Sequence, residues 1–385
     1  MDKSLEKLEL WCRKNDFKGY DPYDTLNSYI PFKLFGNYIS AIAIQIQKRN
    51  PINIRPLLGV KKEHNPKAMG LFLKSYCILY KKTKNEKYLK HADTIFDWLI
   101  NNYSKGYSGM AWGYNFDWAT PKNYLKAYTP STVVTSFVID GIFEYYKITK
   151  SENALKAINS SKDYIVNDIP VLKLEQGISF SYTHLSTGAC YNASLLAAEV
   201  LARYDNVNNT KVFKDQVKLA INFVLSKQKT DGSWLYSYNE KNNTERHQID
   251  FHQGFVLVSL HNLNELYQFE ESDINASIKK GLEFYRNNQF LQNGRSLWRL
   301  PKKWPVEIHN QSQGIITFIS LEKYNQDYKK FAQVIFNWTI ENMYNSKRGY
   351  FHYRKTQLYN NKIPFIRWSQ AWMLLATATI LDINE

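Results

Sequence analysis

The hydrophobic residues of this chain follow a helical period along most of its length. Between 66 and 82, for example, Met69, Leu73 and Tyr76 fall on one face of a helix with 3.6 residues per turn. The long alternation of apolar and polar residues that marks strands is absent, so the pattern predicts a mainly helical fold. The helices come in pairs, at 66–82 with 85–102, 130–147 with 151–166, 188–204 with 210–227, 251–267 with 272–289, and 310–323 with 325–343.

Two further helices, near 36–49 and 366–381, have no neighbour in sequence with which to pair. The simplest closure pairs the final helix with this N-terminal one, which predicts six hairpins in a ring. The first helix of each pair is the more apolar and is expected inside the ring, whereas the lysine-rich second helices are expected outside. An open superhelix is the alternative, but it would need polar caps at both ends, and the final helix is apolar.

Five of the loops that follow a helical stretch begin with glycine and continue with spaced aromatic residues. Their glycines lie between 55 and 68 residues apart, a period that fits one helix pair plus a substantial loop. If all repeats have the same orientation, the five loops gather on one face of the ring. The five loops are Gly109–Tyr114, Gly177–Tyr182, Gly232–Tyr236, Gly294–Trp298 and Gly349–Tyr353.

These helical pairs and loops resemble the six-hairpin toroids, or (α/α)6 barrels. That fold is shared by glycoside hydrolases, polysaccharide lyases, uronyl epimerases, sugar 2-epimerases, and the cyclases and prenyltransferases of isoprenoid chemistry. The resemblance implies an all-α toroid over nearly the whole chain. A weaker likeness concerns 228–234, which looks like the Gln-Trp motif of triterpene cyclases, but the acidic motifs of those enzymes are missing.

Composition narrows the picture further. Of 385 residues 44% are hydrophobic, which excludes a disordered chain, and no linker divides them, so we expect one domain over 1–385 with 1–35 packing near the mouth of the ring. A charge of +15 favours an anionic partner, although no nucleic-acid-binding module is recognisable. With no signal-peptide pattern and no long apolar run, we expect a cytoplasmic protein without a membrane span; the sequence leaves the oligomeric state open.

Polar residues occupy the starts of the predicted inner helices, where the ring opens. Two copies are alike: Asp250 precedes His252, and Glu307 precedes His309, each by two residues. Capping explains Ser, Thr, Asp and Asn at helix starts, but it does not call for histidine twice. We therefore predict that His252 and His309 transfer protons and that Asp250 and Glu307 orient them. Tyr182 is the reserve acid.

Aromatic and amide side chains on the same face are suited to sugars. The C–H faces of sugar rings stack on Trp and Tyr, and their hydroxyl groups need many donors and acceptors. Packing between loops is the alternative role for each aromatic residue. The predicted substrate-binding residues are Trp112, Tyr114, Asn192, Trp234, Tyr236, Trp298, Gln313, Tyr353, Arg367 and Trp368.

The predicted function is that of an enzyme acting on an acidic, uronate-containing glycan, by the proton abstraction that polysaccharide lyases and C5-epimerases use. A cytosolic location would suit polysaccharide biosynthesis or modification. Nothing in the sequence requires a cofactor or a metal. Two alternatives stay open: a toroid that binds glycan or protein without catalysis, and a glycoside hydrolase, which would use two carboxylates. Candidates for those carboxylates are Asp21, Asp24, Asp117, Asp231, Asp250 and Glu307.

Overall fold

Thirteen α-helices account for most of the residues that the computed structural model describes, 3–269 and 272–381. They are α1 Lys3–Lys14, α2 Gly36–Arg49, α3 Pro66–Thr83, α4 Glu86–Asn101, α5 Thr132–Thr149, α6 Glu152–Asn167, α7 Tyr191–Asn208, α8 Lys214–Ser226, α9 His252–Tyr267, α10 Ser272–Asn288, α11 Ile308–Ser320, α12 Asp327–Met343 and α13 Trp372–Ile380. A π-helical segment, Ile366–Ala371, leads directly into α13.

The helices form two concentric layers. The inner layer consists of α3, α5, α7, α9, α11 and α13, each packed against the next, and α13 closes the ring against α3. The outer layer consists of α4, α6, α8, α10, α12 and α1. This arrangement confirms the six-hairpin toroid that the sequence predicts.

One detail of the predicted closure is wrong, because the partner of α13 is α1 and not the helix at 36–49. Helix α1 buries Leu5, Leu8 and Cys12, as an outer helix of the ring should. Helix α2 packs instead against the short segments on either side of residue 30 and against the loop near Trp118. Helix α1 is therefore the sixth outer helix, and α2 is an addition between α1 and the first inner helix, α3.

Tight turns join inner to outer helices at one end of the ring. The residue after each of four inner helices is left-handed, with φ between 50° and 56°, and its N–H bonds back to a carbonyl of the last helical turn. This geometry ends a helix and allows the next to begin within a few residues. The four residues are Lys84, Lys150, Asn209 and Gln268.

The long loops collect at the opposite end, which we call the mouth, and short strands tie them together. Strand β5 pairs with β6 of the following loop, so that Ala189 lies opposite Tyr238, and β8 pairs with β11, so that Glu307 lies opposite Arg354. The strands are β1 Trp118–Ala119, β2 Tyr124–Leu125, β3 Val171–Leu174, β4 Gly177–Phe180, β5 Ala189–Cys190, β6 Ser237–Asn239, β7 Thr244–Arg246, β8 Val306–Glu307, β9 Tyr344–Asn345, β10 Tyr350–Phe351, β11 Arg354–Lys355 and β12 Asn360–Asn361.

The five repeated glycines have the same role in every loop. Each lies against the outer helix of the next hairpin, so close that a Cβ atom would stand 1.8 to 2.7 Å from a backbone carbonyl oxygen. Only a residue without a side chain permits this approach. The pairs are Gly109 with Ser160, Gly177 with Leu219, Gly232 with Lys280, Gly294 with Val334, and Gly349 with Lys7 of α1.

Replacing Gly177 by alanine should destabilise the fold by about 3 kcal/mol or more, because the new methyl group meets the Leu219 carbonyl at 2.1 Å and φ is +142°. The matched control is Gly188→Ala in the loop before α7, where a Cβ meets nothing within 4 Å. Urea denaturation followed by circular dichroism measures both. Equal stability of the two variants would contradict the packing role of the repeated glycine.

Candidate functional site

The best-oriented titratable pair at the mouth is Asp250 with His252, at the start of α9. Oδ1 of Asp250 accepts from the backbone N–H of His252 at 3.2 Å and lies 2.5 Å from its Nδ1. The side chain of Gln248 holds the other carboxylate oxygen at 2.7 Å. Burial acts to raise the pKa of Asp250, but the neighbouring His252 and Arg299 lower it overall, so the carboxylate stays ionised. Because Asp250 engages Nδ1, it leaves Nε2 of the half-buried imidazole for a substrate.

The second predicted histidine, His309, lies close to His252 but does not face it directly. The phenyl ring of Phe251 is sandwiched between them, with each imidazole centroid 4.2 Å from the phenyl centroid. The two histidines thus occupy one region of the mouth, as the repeat predicted, but on opposite faces of one aromatic ring. A single substrate atom between the two nitrogens is not compatible with this arrangement.

His309 belongs to a group of buried nitrogen atoms that lack hydrogen-bond partners among the described residues. Its ring centroid is 4.7 Å from those of both Trp368 and Trp372. Both imidazole nitrogens of His309 and both indole N–H groups are buried without an acceptor or donor. Buried polar groups in proteins are almost always satisfied, so these nitrogen atoms are candidate contacts for a polar ligand or for water.

Lys67, in the first turn of α3, adds a buried amine to the same region. Its Nζ lies 4.1 Å from the Phe137 ring centroid, 5.6 Å from that of Phe255 and 5.4 Å from that of Trp372. Burial, together with the positive charge of Arg367, lowers the pKa of Lys67 well below its ordinary value. Burial and the charge of Lys67 likewise lower the pKa of His309 well below its ordinary value, so this imidazole is neutral.

Arg367, the residue before Trp368, is fixed by a buried ion pair. Its Nε and Nη2 donate to the two carboxylate oxygens of Asp21 at 2.6 and 2.7 Å, and its guanidinium lies 4.7 Å from the centre of the Tyr114 ring. Arg367 and Trp368 both belong to the π-helical segment, a deviation that occurs frequently at functional sites. Asp21 therefore reaches the mouth, where it acts as a partner of arginine.

Three tyrosines link Arg367 to His252 through a series of contacts. The hydroxyl groups of Tyr114 and Tyr182 share a hydrogen bond, and Tyr236 stands edge-on to His252 at 4.8 Å between centroids. Burial and the neighbouring Tyr114 raise the pKa of Tyr182 well above its ordinary value, which keeps the phenol protonated. Tyr182 thus has the protonation state of an acid.

Asn192 is connected to Tyr236, the last of these tyrosines, through Cys190. Its amide oxygen is 3.2 Å from Sγ of Cys190, and the side chains of Cys190 and Tyr236 share a hydrogen bond. Asn192 is buried at the first turn of α7. It supports Tyr236, and through it the surroundings of His252.

Glu307 does not orient His309, contrary to the sequence-based expectation. Its carboxylate is hydrogen-bonded to Arg354 and to the hydroxyl of Tyr353. Burial acts to raise the pKa of Glu307, but Arg354 and Lys48 lower it overall. The repeat places Asp250 and Glu307 at equivalent positions, yet only Asp250 contacts a histidine, because β11 brings Arg354 opposite Glu307.

The other carboxylates proposed for hydrolysis are also engaged. Asp24 accepts from Nε of buried Arg55 at 2.7 Å, although burial raises its pKa to about 6. Asp117 is bonded to the hydroxyl of Tyr124 and to a backbone N–H, and Asp231 accepts from the backbone and hydroxyl of the nearby Ser233. No group of three or more His, Cys, Asp and Glu side chains among the described residues is arranged to hold a metal ion.

Several residues predicted to bind substrate lie in the scaffold instead. Trp112 and Trp234 are fully buried, and their indole N–H groups donate to carbonyls of Leu99 and Val224 at the ends of the preceding outer helices. This is the packing alternative, so neither ring is available to a sugar. Tyr353 is also fully buried against Glu307.

Gln313 and Trp298 are the remaining two. Gln313 is buried, donates to Thr317 on its own helix, and packs where Gly254 of α9 leaves room. It therefore lies between two inner helices. Trp298 is half-buried in the loop after α10, with the guanidinium of Arg299 5.4 Å from its ring centre.

Lys67, Phe251 and Trp372 were not identified as site residues from the sequence. Lys67 precedes Leu71 by four residues and so lies on the buried face of α3, a position where an unpaired lysine is unusual. The position of Lys67 could therefore have been recognised from the hydrophobic pattern of the sequence. The separation of the histidines by Phe251 was not, because it depends on side-chain directions at the helix start.

Comparison with known proteins gives the fold independently. No family model matches the sequence, and no curated protein matches it. Among solved structures, a cellobiose 2-epimerase from Bacillus thermoamylovorans is similar over 83% of this chain and 90% of its own, with a TM-score of 0.65 and 12% identity.

Two glycan hydrolases are similar over nearly their full lengths. An unsaturated glucuronyl hydrolase specific for heparin covers 99% of this chain and 96% of its own, with a TM-score of 0.64 and 12% identity. A GH76 alpha-mannanase from Bacteroides thetaiotaomicron covers 98% of both chains, with a TM-score of 0.62 and 12% identity. The chain is thus an (α/α)6 toroid, the fold of these carbohydrate-active enzymes.

Proposed function

We propose that the protein is a carbohydrate-active enzyme that binds an acidic, uronate-containing glycan at the mouth and abstracts a proton from it, as lyases and C5-epimerases do. The observation that carries the proposal is the group of buried, unpartnered nitrogen atoms of His309, Trp368 and Trp372, beside the oriented pair of Asp250 and His252. The group supplies binding, and the pair supplies a base.

A uronate carboxylate fits the binding group because it offers acceptors only. The two indole N–H groups can donate, and so can Lys67, whose charged form a nearby carboxylate favours because it raises the lowered pKa of this amine. Hydrogen bonds between a carboxylate and such groups are stronger than those to a neutral hydroxyl. An uncharged sugar would satisfy the same donors but would not raise the pKa of Lys67.

The chemical step follows from the pair. Nε2 of His252 removes the proton on the carbon next to the carboxylate, and Asp250 stabilises the imidazolium that results. The electron pair moves into the carboxyl group, where fixed positive charge such as Arg367 stabilises it. In an epimerase a proton returns to the opposite face of the carbon. In a lyase the neighbouring C–O bond breaks and the leaving oxygen takes a proton, for which Tyr182 is the candidate donor.

A glycoside hydrolase is the less favoured alternative. It needs one protonated carboxyl group and one free carboxylate across the scissile bond. Here the candidates Asp21, Asp24 and Glu307 are each paired with a buried arginine, and Asp250 is paired with His252. Likeness in fold to a glucuronyl hydrolase does not replace that missing pair of groups.

Binding of matched sugars tests the proposal. Titration calorimetry with a uronic-acid oligosaccharide and with a neutral one of equal length should show at least about tenfold tighter binding of the acidic sugar, from charge-assisted hydrogen bonds. Added salt should reduce the difference in affinity between the two sugars only slightly, because charges in a buried site are screened less than those of a surface lysine patch. Equal affinities, or binding of the neutral sugar alone, would overturn the choice of substrate.

A further inference from the structure

A second feature, independent of the proposed chemistry, lies on the outside of the mouth. Of twenty large hydrophobic side chains exposed on the described residues, nine fall between 29 and 57, around α2. We call this surface the α2 face. It consists of Tyr29, Leu34, Phe35, Tyr38, Ile39, Ile42, Ile46, Ile52 and Leu57.

Helix α2 exposes more apolar side chains than it buries, since Ile44 is the only apolar residue among its three buried ones. Ser40 and Gln47 point inwards, and the amide nitrogen of Gln47 is buried without a partner. Ile42 and Ile46 point outwards, and Ile46 is 65% exposed. A contiguous apolar surface of this kind marks an interaction site.

Within the segment that carries the α2 face, the charged residues all have one sign. From Thr25 to Lys62 the sequence contains no Asp or Glu, but it contains six basic residues, of which only Arg55 is buried. The five others are exposed or, in the case of Lys48, half-buried, and we call them the basic rim. They are Lys33, Lys48, Arg49, Lys61 and Lys62.

We propose that the α2 face docks the protein onto an anionic lipid surface, with the isoleucines entering the interface and the basic rim contacting headgroups. Amphipathic helices bind membranes through buried apolar area plus attraction to anionic lipids, and both terms are present here. A second copy of the chain suits the face less well, because two such surfaces would oppose positive rims while each chain carries a charge of +15.

The docking would be peripheral. Among the described residues, no helix has the length and apolar character to cross a membrane. Helix α2 also adjoins the mouth, since Nζ of Lys48 donates to the hydroxyl of Tyr23 at 2.5 Å and lies 5.4 Å from the ring centre of Trp368. A docked protein would therefore hold its mouth beside the lipid surface.

Vesicle co-sedimentation of the full chain tests the proposal. We expect binding to vesicles of phosphatidylcholine with phosphatidylglycerol, and weaker binding to phosphatidylcholine alone or at high salt. The double variant Ile42→Asp/Ile46→Asp should lower the partition coefficient by about tenfold or more, because two buried apolar side chains are lost. The control Val212→Asp/Leu219→Asp changes two exposed apolar residues near α8 and should bind like the parent.

Circular dichroism of the two double variants checks that both are folded, as substitution at exposed positions should allow. Absence of vesicle binding, or undiminished binding by Ile42→Asp/Ile46→Asp, would overturn the proposal. A third outcome would also overturn it: the parent forms a dimer in sedimentation equilibrium and does not bind vesicles, and the double variant is monomeric. The α2 face would then be covered by a second copy of the chain. Lys33→Glu/Arg49→Glu should weaken binding to anionic vesicles only, and equal loss on both vesicle types would count against the role of the rim.

Discussion

Replacing His252 by alanine should lower turnover of a uronate substrate by about a thousandfold, because the proposed proton transfer loses its base. The fold should be retained, since the imidazole is half-buried at the start of α9 and Phe251 continues to fill the space next to it. Substrate affinity should change by less than about tenfold, because the unpartnered donors of His309, Trp368 and Trp372 remain. Steady-state rates and melting temperatures measure these effects.

The matched control is His261→Ala. His261 lies on the same helix nine residues later, near the tight-turn end of the ring, with Glu265 as its neighbour. It should leave the rate within about twofold, because His261 is half-buried at the end of α9 that lies away from the mouth. A folded His252→Ala enzyme that keeps full activity would remove His252 from the mechanism, whatever the binding results.

Replacing Lys67 by methionine should weaken binding of a uronic-acid oligosaccharide by about 10- to 100-fold, because one charge-assisted hydrogen bond in a buried site is lost. Methionine has a similar length and suits the surrounding rings of Phe137, Phe255 and Trp372. The melting temperature should not fall, since a buried amine without a described counterion is removed. Affinity for the neutral sugar should change by less than about threefold.

Protonation gives this variant a second readout. Burial and Arg367 lower the pKa of Lys67 in the free protein, and a bound carboxylate raises it again, so binding takes up a proton between the two pKa values. The affinity for uronate therefore falls as the pH rises through that window. Titration calorimetry in buffers of different ionisation enthalpy detects the proton. The parent and Lys279→Met, an exposed lysine of α10, should take it up, and Lys67→Met should not.

If Lys67→Met binds uronate as tightly as the parent, or takes up the same number of protons, the carboxylate lies elsewhere. In that case the unpartnered donors beside His309 would need another ligand. The two variants separate binding from chemistry, because Lys67→Met should raise KM and His252→Ala should lower kcat.

The ring could be predicted from the sequence because its helices are long and strongly periodic. The five glycine loops also indicated the repeat correctly, since each glycine permits the same close approach to the next outer helix. Gly109 packs against α6 in this way, and Gly349 packs against α1. The partner of α13 could not be read in the same way. Helices α1 and α2 both precede α3 in the sequence. Only the burial of Leu5, Leu8 and Cys12 shows that α1 is the helix that belongs to the ring.

The grouping of several candidate residues at the mouth could be predicted from the sequence, but their contacts could not. The spacing of Asp250 and His252 correctly indicated an oriented pair, yet the same spacing at Glu307 and His309 did not, because Arg354 reaches Glu307 from a strand almost fifty residues later. Aromatic residues in the loops could not be divided by sequence into those that pack and those that face the mouth. Trp112 and Trp368 look alike in sequence, but only Trp112 has a helix-end carbonyl for its indole N–H.

In the proposed reaction, His252 removes a carbon-bound proton from a uronate held at the mouth. The most direct measurement is exchange of that proton with solvent deuterium, followed by NMR of a uronic-acid oligosaccharide incubated with the enzyme in heavy water. With the parent enzyme we expect either deuterium on the carbon next to the carboxylate or an unsaturated product that has lost the proton from that carbon. We expect neither with His252→Ala. Turnover of the sugar with that proton fully retained, or equal exchange by both proteins, would contradict it.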